Sequence, residues 1–147
     1  MDKSAARLAF ENAIENEKPV FEKFFIAKLL GLEFEYPDNQ CVITFNVKDF
    51  MFNPQGSLHG GIIATVLDIS MGHLLNSVQG AGTTLEMKTQ YVKAARQGRL
   101  KCRGEFTRRG RNVSFLQSTM TDEQGDIIAF ATATWMQLNR GANDGAR

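Results

Sequence analysis

The sequence predicts an α+β domain, a curled antiparallel sheet of five to six strands around one central helix, with extra helices at the N-terminus. Three observations predict it. From residue 60 to about 78, Ile62, Ile63, Val66, Leu67, Ile69, Met71, Leu74 and Leu75 recur at helical spacing yet surround the helix nearly all round, the pattern of a helix buried on most sides. After it, four stretches, roughly 83–93, 98–108, 112–122 and 126–137, read as strands. Their last two separators, Arg109-Gly110-Arg111 and residues 122–125, are short enough for antiparallel hairpins.

The remaining elements follow in order. Ser4 can cap a first helix whose apolar positions Ala6, Phe10, Ala13 and Ile14 keep helical spacing. Pro19 suits the first turn of a second helix over residues 20–30, rich in phenylalanine and ended by Gly31. That helix reads as a lid packed on the core or on a partner chain. The period then changes to two: Leu32, Phe34 and Tyr36 form one strand, and Cys41, Ile43, Phe45 and Val47 another, around a Pro37-Asp38-Asn39 turn. Residues 49–58 read as a loop. The division is a helical extension over 1–31, the main domain over 32–138 and a flexible tail over 139–147.

Composition narrows the function. The chain has 147 residues, 43% hydrophobic and 22% charged, with a formal net charge of +1, which argues against a dedicated nucleic-acid binder. Cys41 and Cys102 lie in strand patterns without metal-ligand spacing, so they read as reduced, partly buried thiols. No metal or cofactor is expected. The charged N-terminus lacks an apolar signal region, and the apolar stretch 60–75 reads as too short to span a bilayer. A cytoplasmic protein without a membrane partner is the expectation.

Residues 53–68 carry the chemistry. A helix N-terminus leaves unpaired N–H groups with partial positive charge, and Gly60 and Gly61 let a carbonyl approach that backbone closely. Such a site can hold the oxyanion of acyl transfer, although two glycines also serve a plain tight turn. Asp68 tips the reading. Aspartate is a poor helix-interior residue, and among Val66, Leu67, Ile69 and Met71 an ionised carboxylate costs several kcal/mol unless paired. It is therefore a candidate nucleophile or general base. Gly61 and Asp68 share a helix face about 10 Å apart along the axis, whereas catalytic groups act over about 3 Å. One helix can hardly offer both to one carbonyl; two antiparallel helices in a dimer can.

The strings NPQGSLHGGIIATVLD and TTLEMKTQYVKAA resemble the hotdog-fold acyl-CoA thioesterases of the phenylacetate-pathway (PaaI-like) type, over about residues 40–137. The resemblance implies a homodimer, often paired again into a homotetramer, and an acyl-CoA substrate. It matches Asp68 to the catalytic carboxylate and Gly60 to the oxyanion donor. His59 and Asn53 match a polar pair contributed by the opposite chain, and Thr84 a residue that positions water. CoA phosphates point to the basic stretch 93–111, where Lys93, Arg108, Arg109 and Arg111 are candidate contacts. Arg99, Lys101 and Arg103 fall on an outer face instead. His73 reads as a structural histidine. The competing functions are a hotdog hydratase or dehydratase, which the Asp68 spacing fits less well, and a non-catalytic acyl-CoA-binding module, which has little use for a buried carboxylate.

Overall fold

The computed structural model describes residues 1–138, so the expected tail lies outside the described residues. Helices α1 (Lys3–Asn16) and α2 (Phe25–Leu30) precede strands β1 (Glu33–Glu35) and β2 (Gln40–Asn46). The central helix α3 (Gly60–Gln79) leads to β3 (Gly82–Tyr91), β4 (Arg99–Arg108), β5 (Val113–Thr121) and β6 (Ile127–Gln137). The sheet has six strands in the order β1-β2-β4-β5-β6-β3, every pair antiparallel.

Local chemistry sets most of these boundaries. Asp2, rather than Ser4, caps α1: its carboxylate accepts from the Ser4 and Ala5 amides. The second helix is shorter than its apolar content suggests, because residues 19–24 form turns and Glu22 sits at φ 68°. Gly31 closes α2 in the left-handed conformation. Asp38 and Asn39, at φ 43° and 58°, make the tight β1–β2 turn that short polar side chains tolerate. A single 3-10 turn, Asp49–Met51, interrupts the loop expected at 49–58.

Both expected hairpins form, but β3 does not pair with β4. After β2, α3 crosses the concave face, so β3 starts at the far edge, where Gly82 pairs with Gln137 of β6. Residues 92–98 bring the chain back across the sheet end. There the Val92 amide donates to Ile128, and Leu58 donates to the Ala95 carbonyl. This return leaves β4 free to pair with β2.

The sheet encloses α3 on most sides. Ile63, Val66, Leu67, Met71 and Leu74 bury against Phe45, Leu100, Leu116 and Met120. At 20 residues α3 is long and apolar enough to cross a membrane by length and composition, more than stretch 60–75 suggested. Five strands pack against it, which accounts for its apolarity. Both cysteines are free and fully buried, beyond the partial burial expected, and burial pushes the Cys41 thiol up to about 12 and Cys102 up to about 11. Cys102 joins a polar chain inside the core, 3.1 Å from the Ser118 hydroxyl, which lies 2.7 Å from that of Ser70.

The N-terminal segment is tied to this core. The Glu22 amide donates to His73 Nε2 at 3.3 Å, and the His73 ring stacks on Phe34 with Phe21 edge-on. Burial holds the His73 pKa below its usual value, which fits its expected structural role.

At Gly104 the sheet meets the helix backbone itself: a Cβ there would lie 2.7 Å from the Ser70 carbonyl oxygen. Backbone cannot yield as a side chain does. Gly104→Ala is expected to cost about 1–3 kcal/mol by displacing α3, read as a lower urea midpoint; an unchanged midpoint would show that the contact is loose.

Candidate active site

The site grows from the entry to α3. Asn53 organises the loop before it: its side-chain oxygen accepts from the Gln55 and Ser57 amides at 3.0 and 3.2 Å. A bridge between Phe52 and Leu58 closes the loop, and the His59 amide bonds the Met51 carbonyl. Asn53 is thus spent on shaping the loop.

His59 is the N-cap of α3, and its Nδ1 accepts from the Gly61 amide at 2.8 Å. In the neutral ring the proton therefore sits on Nε2, the tautomer that donates outward. The Ile62 and Ile63 amides both bond the His59 carbonyl. Of the first four amides of α3, only that of Gly60 has no acceptor among the described residues. Gly61, expected to contact substrate, has its N–H committed to His59, so it can offer only room.

Asp68 lies eight residues after Gly60, in a partly exposed stripe with Gly61 and Thr65, one turn before the Trp135 ring of β6 covers Gly72. Its Oδ1 accepts from the Thr84 hydroxyl at 2.9 Å. A β-bulge in β3 between Thr84 and Glu86 lets Thr84 face the helix while Leu85 stays exposed. Burial raises the Asp68 pKa above the ordinary carboxylate range, and the Thr84 bond pulls it part of the way back. One chain thus joins Asp68 to Thr84, and places His59 and Gly60 at the start of α3 behind the loop that Asn53 shapes. It leaves the two groups separated by about 12 Å of helix.

The basic candidates divide. Lys93 bridges Asp122 and Asp126 at 2.8 and 2.7 Å, so its charge is already matched. Arg108 ends β4 and is exposed. Arg109 and Arg111 line an open cleft of about 690 Å³ with Asn76, Gln79 and Gln137 at the C-terminal end of α3. The Gln79 side chain fixes that hairpin by donating to the Gly110 carbonyl at 2.9 Å. Arg99 pairs with Glu33, and Lys101 and Arg103 are exposed as expected. Among the described residues no cluster of three metal-ligating side chains occurs.

Tyr91 was missed from the sequence. Its hydroxyl donates to the Gly60 carbonyl at 3.1 Å, and its ring would lie 3.3 Å from a Cβ at position 60. Gly60 is therefore small partly to admit this ring. A lone tyrosine at a strand end gives no signal until its glycine partner is known.

The chain as a whole resembles known proteins. A family model described as the thioesterase superfamily matches residues 55–129. The medium/long-chain acyl-CoA thioesterase YigI of Salmonella typhimurium is 28% identical over 74% of this chain and 83% of its own. Among solved structures, a phenylacetic acid degradation-related protein of Ralstonia eutropha JMP134 is 27% identical, with a TM-score of 0.72 over 88% of this chain and 99% of that one. The E. coli PaaI protein shares the fold at a TM-score of 0.77 and 18% identity, covering 89% and 96%. The chain belongs to the thioesterase superfamily and is a thioester hydrolase of the hotdog fold.

The Asp68 environment makes a signed prediction. Because its folded pKa is raised, Asp68 favours the folded state below its unfolded pKa of about 3.9, and that contribution is lost as pH rises through the folded value. Asp68→Asn, which can still accept from Thr84, should be the more stable protein at pH 7. Its advantage in urea midpoint should close on acidification toward about pH 4. A variant less stable than the parent at pH 7 would contradict the burial of this carboxylate.

Proposed function

We propose that the chain hydrolyses acyl-CoA thioesters in a site completed by a second copy of itself. One observation carries this reading: Asp68 and Gly60 are each tied to the same edge strand, Asp68 through Thr84 and Gly60 through Tyr91. That strand, β3, is 10 residues long and among the described residues pairs only with β6. A long open edge recruits another strand. Twofold pairing of β3 with its copy runs the two α3 helices antiparallel, and each Asp68 then faces Gly60 of the second copy. Both groups reach one carbonyl that way.

The chemistry follows from the groups. The thioester oxygen accepts from the free Gly60 amide, and the outward Nε2–H of His59 is a second donor beside it. The Asp68 carboxylate either attacks the carbonyl carbon, giving an anhydride that water opens, or takes a proton from an attacking water. Thr84 holds one carboxylate oxygen and leaves the other free. In either case charge gathers on the former carbonyl oxygen at the helix N-terminus, the C–S bond breaks, and the thiolate leaves to be protonated.

The CoA end is assigned to Arg109 and Arg111. They lie about 16 Å along α3 from Asp68, on the side where Gly60 of the second copy opens, a span suited to a pantetheine arm. Their guanidinium groups match phosphate oxygens. YigI supports acyl-CoA as the substrate class, since its name assigns it medium and long acyl chains.

Thiol release from a panel of aryl, medium-chain and long-chain acyl-CoAs tests the proposal. The parent is expected to turn over at least one class, and Asp68→Asn to lower kcat by about 10²–10⁴-fold without changing the assembled mass. Full activity in the variant would remove Asp68 from the chemistry. A parent inert on every ester would remove acyl-CoA as the substrate.

A further inference from the structure

Gly60 presents a specific problem. Its amide is the free donor at the start of α3, yet a glycine backbone is the least constrained of any residue. A donor aimed at a developing oxyanion gains its effect from being fixed beforehand. Something outside the glycine must hold it.

The next peptide, joining Gly60 to Gly61, is held at both ends. Its carbonyl oxygen accepts from the Tyr91 hydroxyl at 3.1 Å, and its N–H donates to His59 Nδ1 at 2.8 Å. The Tyr91 ring also lies against the Gly60 α-carbon, at 3.3 Å from where a Cβ would be. Tyr91 itself is 55% exposed, so core packing does not account for its position.

We propose that Tyr91 is the positioning residue for the oxyanion donors of the thioesterase site, acting through the Gly60–Gly61 peptide. It rests on the assignment of Gly60 as the oxyanion donor. The bonds run in one direction: the Tyr91 O–H donates to the Gly60 carbonyl, and the same peptide's N–H donates to His59 Nδ1. Hydrogen bonds in series polarise one another. Tyr91 thereby fixes the torsion that orients the Gly60 amide, and it strengthens the contact that keeps the His59 proton on Nε2. Both donors depend on one hydroxyl located at the end of β3, 31 residues away in sequence.

The location adds a consequence. Thr84 and Tyr91 lie toward opposite ends of β3, and each steadies one half of the site. The strand that forms the open edge is then also the element that sets both catalytic halves in register with each other.

Tyr91→Phe keeps the ring against Gly60 and removes only the hydroxyl, so it separates positioning from packing. With an acyl-CoA that the parent hydrolyses, kcat is expected to fall about tenfold, with KM within about twofold and the melting temperature nearly unchanged. Tyr36→Phe, which alters the only other tyrosine, whose hydroxyl bonds Glu22 in the N-terminal segment, should leave kcat at the parent value. Nitrogen NMR gives a readout independent of turnover: the Gly61 amide and the His59 ring nitrogens should shift in Tyr91→Phe and hold still in Tyr36→Phe. A parent-like kcat in Tyr91→Phe would overturn the proposal, as would an equal loss in both variants or a loss confined to KM. Unmoved Gly61 and His59 resonances would overturn it as well. Should the parent show no acyl-CoA hydrolysis, the substrate assignment fails, and the NMR comparison still decides whether Tyr91 governs the peptide.

Discussion

A carboxylate set into the middle of a core helix is the constraint on which the rest of this structure depends. Asp68 raises the free energy of the fold when ionised, because burial disfavours its charge. The sheet accommodates it by enclosing α3 on most sides while leaving a stripe at Gly61, Thr65 and Asp68 partly exposed. On the enclosed sides the fit is tight, with Gly104 admitting the Ser70 backbone and the Ser70–Ser118–Cys102 chain meeting its polar groups internally.

The open stripe and the open edge of the sheet are two aspects of one arrangement. Because α3 crosses the concave face before β3 begins, β3 is pushed to the far edge and lies beside the exposed part of the helix. Its bulge aims Thr84 at Asp68, and its end brings Tyr91 onto Gly60. The stripe that needs covering and the strand that needs a neighbour can be satisfied together by one twofold-related copy. Function and assembly are coupled in this reading because they use the same surface.

Much of this was legible in the sequence, and for identifiable reasons. The apolar pattern of α3 and the two-residue period of the later strands are strong signals, as is an aspartate among apolar helix positions. The seven-residue spacing of Gly61 and Asp68 foretold that they share a face, which the partly exposed stripe matches. What escaped was non-local. The place of β3 depends on where a helix delivers the chain, which periodicity does not encode. Lys93 looked like a free cation in its stretch, but Asp122 and Asp126, about thirty residues on, take up its charge. Gly61 looked like an available donor until the His59 ring turned back on it. Tyr91 carried no mark of its own, since its meaning lies in a contact with Gly60. The short α2 has a local cause: Glu22 adopts a left-handed conformation and breaks a pattern whose phenylalanines alone suggested a longer helix.

The central claim, that each site takes its carboxylate from one copy and its oxyanion donor from the other, is tested most directly with mixed dimers. Asp68→Asn removes the carboxylate. Gly60→Pro removes the amide hydrogen at a helix position where proline is tolerated, and the exposed Tyr91 side chain can yield to the ring. Dimers purified with one variant in each copy hold one doubly damaged site and one intact site if the halves are shared. Their turnover should return to about half that of the parent dimer, while each variant alone stays inactive. Mixed dimers as inactive as their parents would show that both groups act within a single chain and would contradict the account.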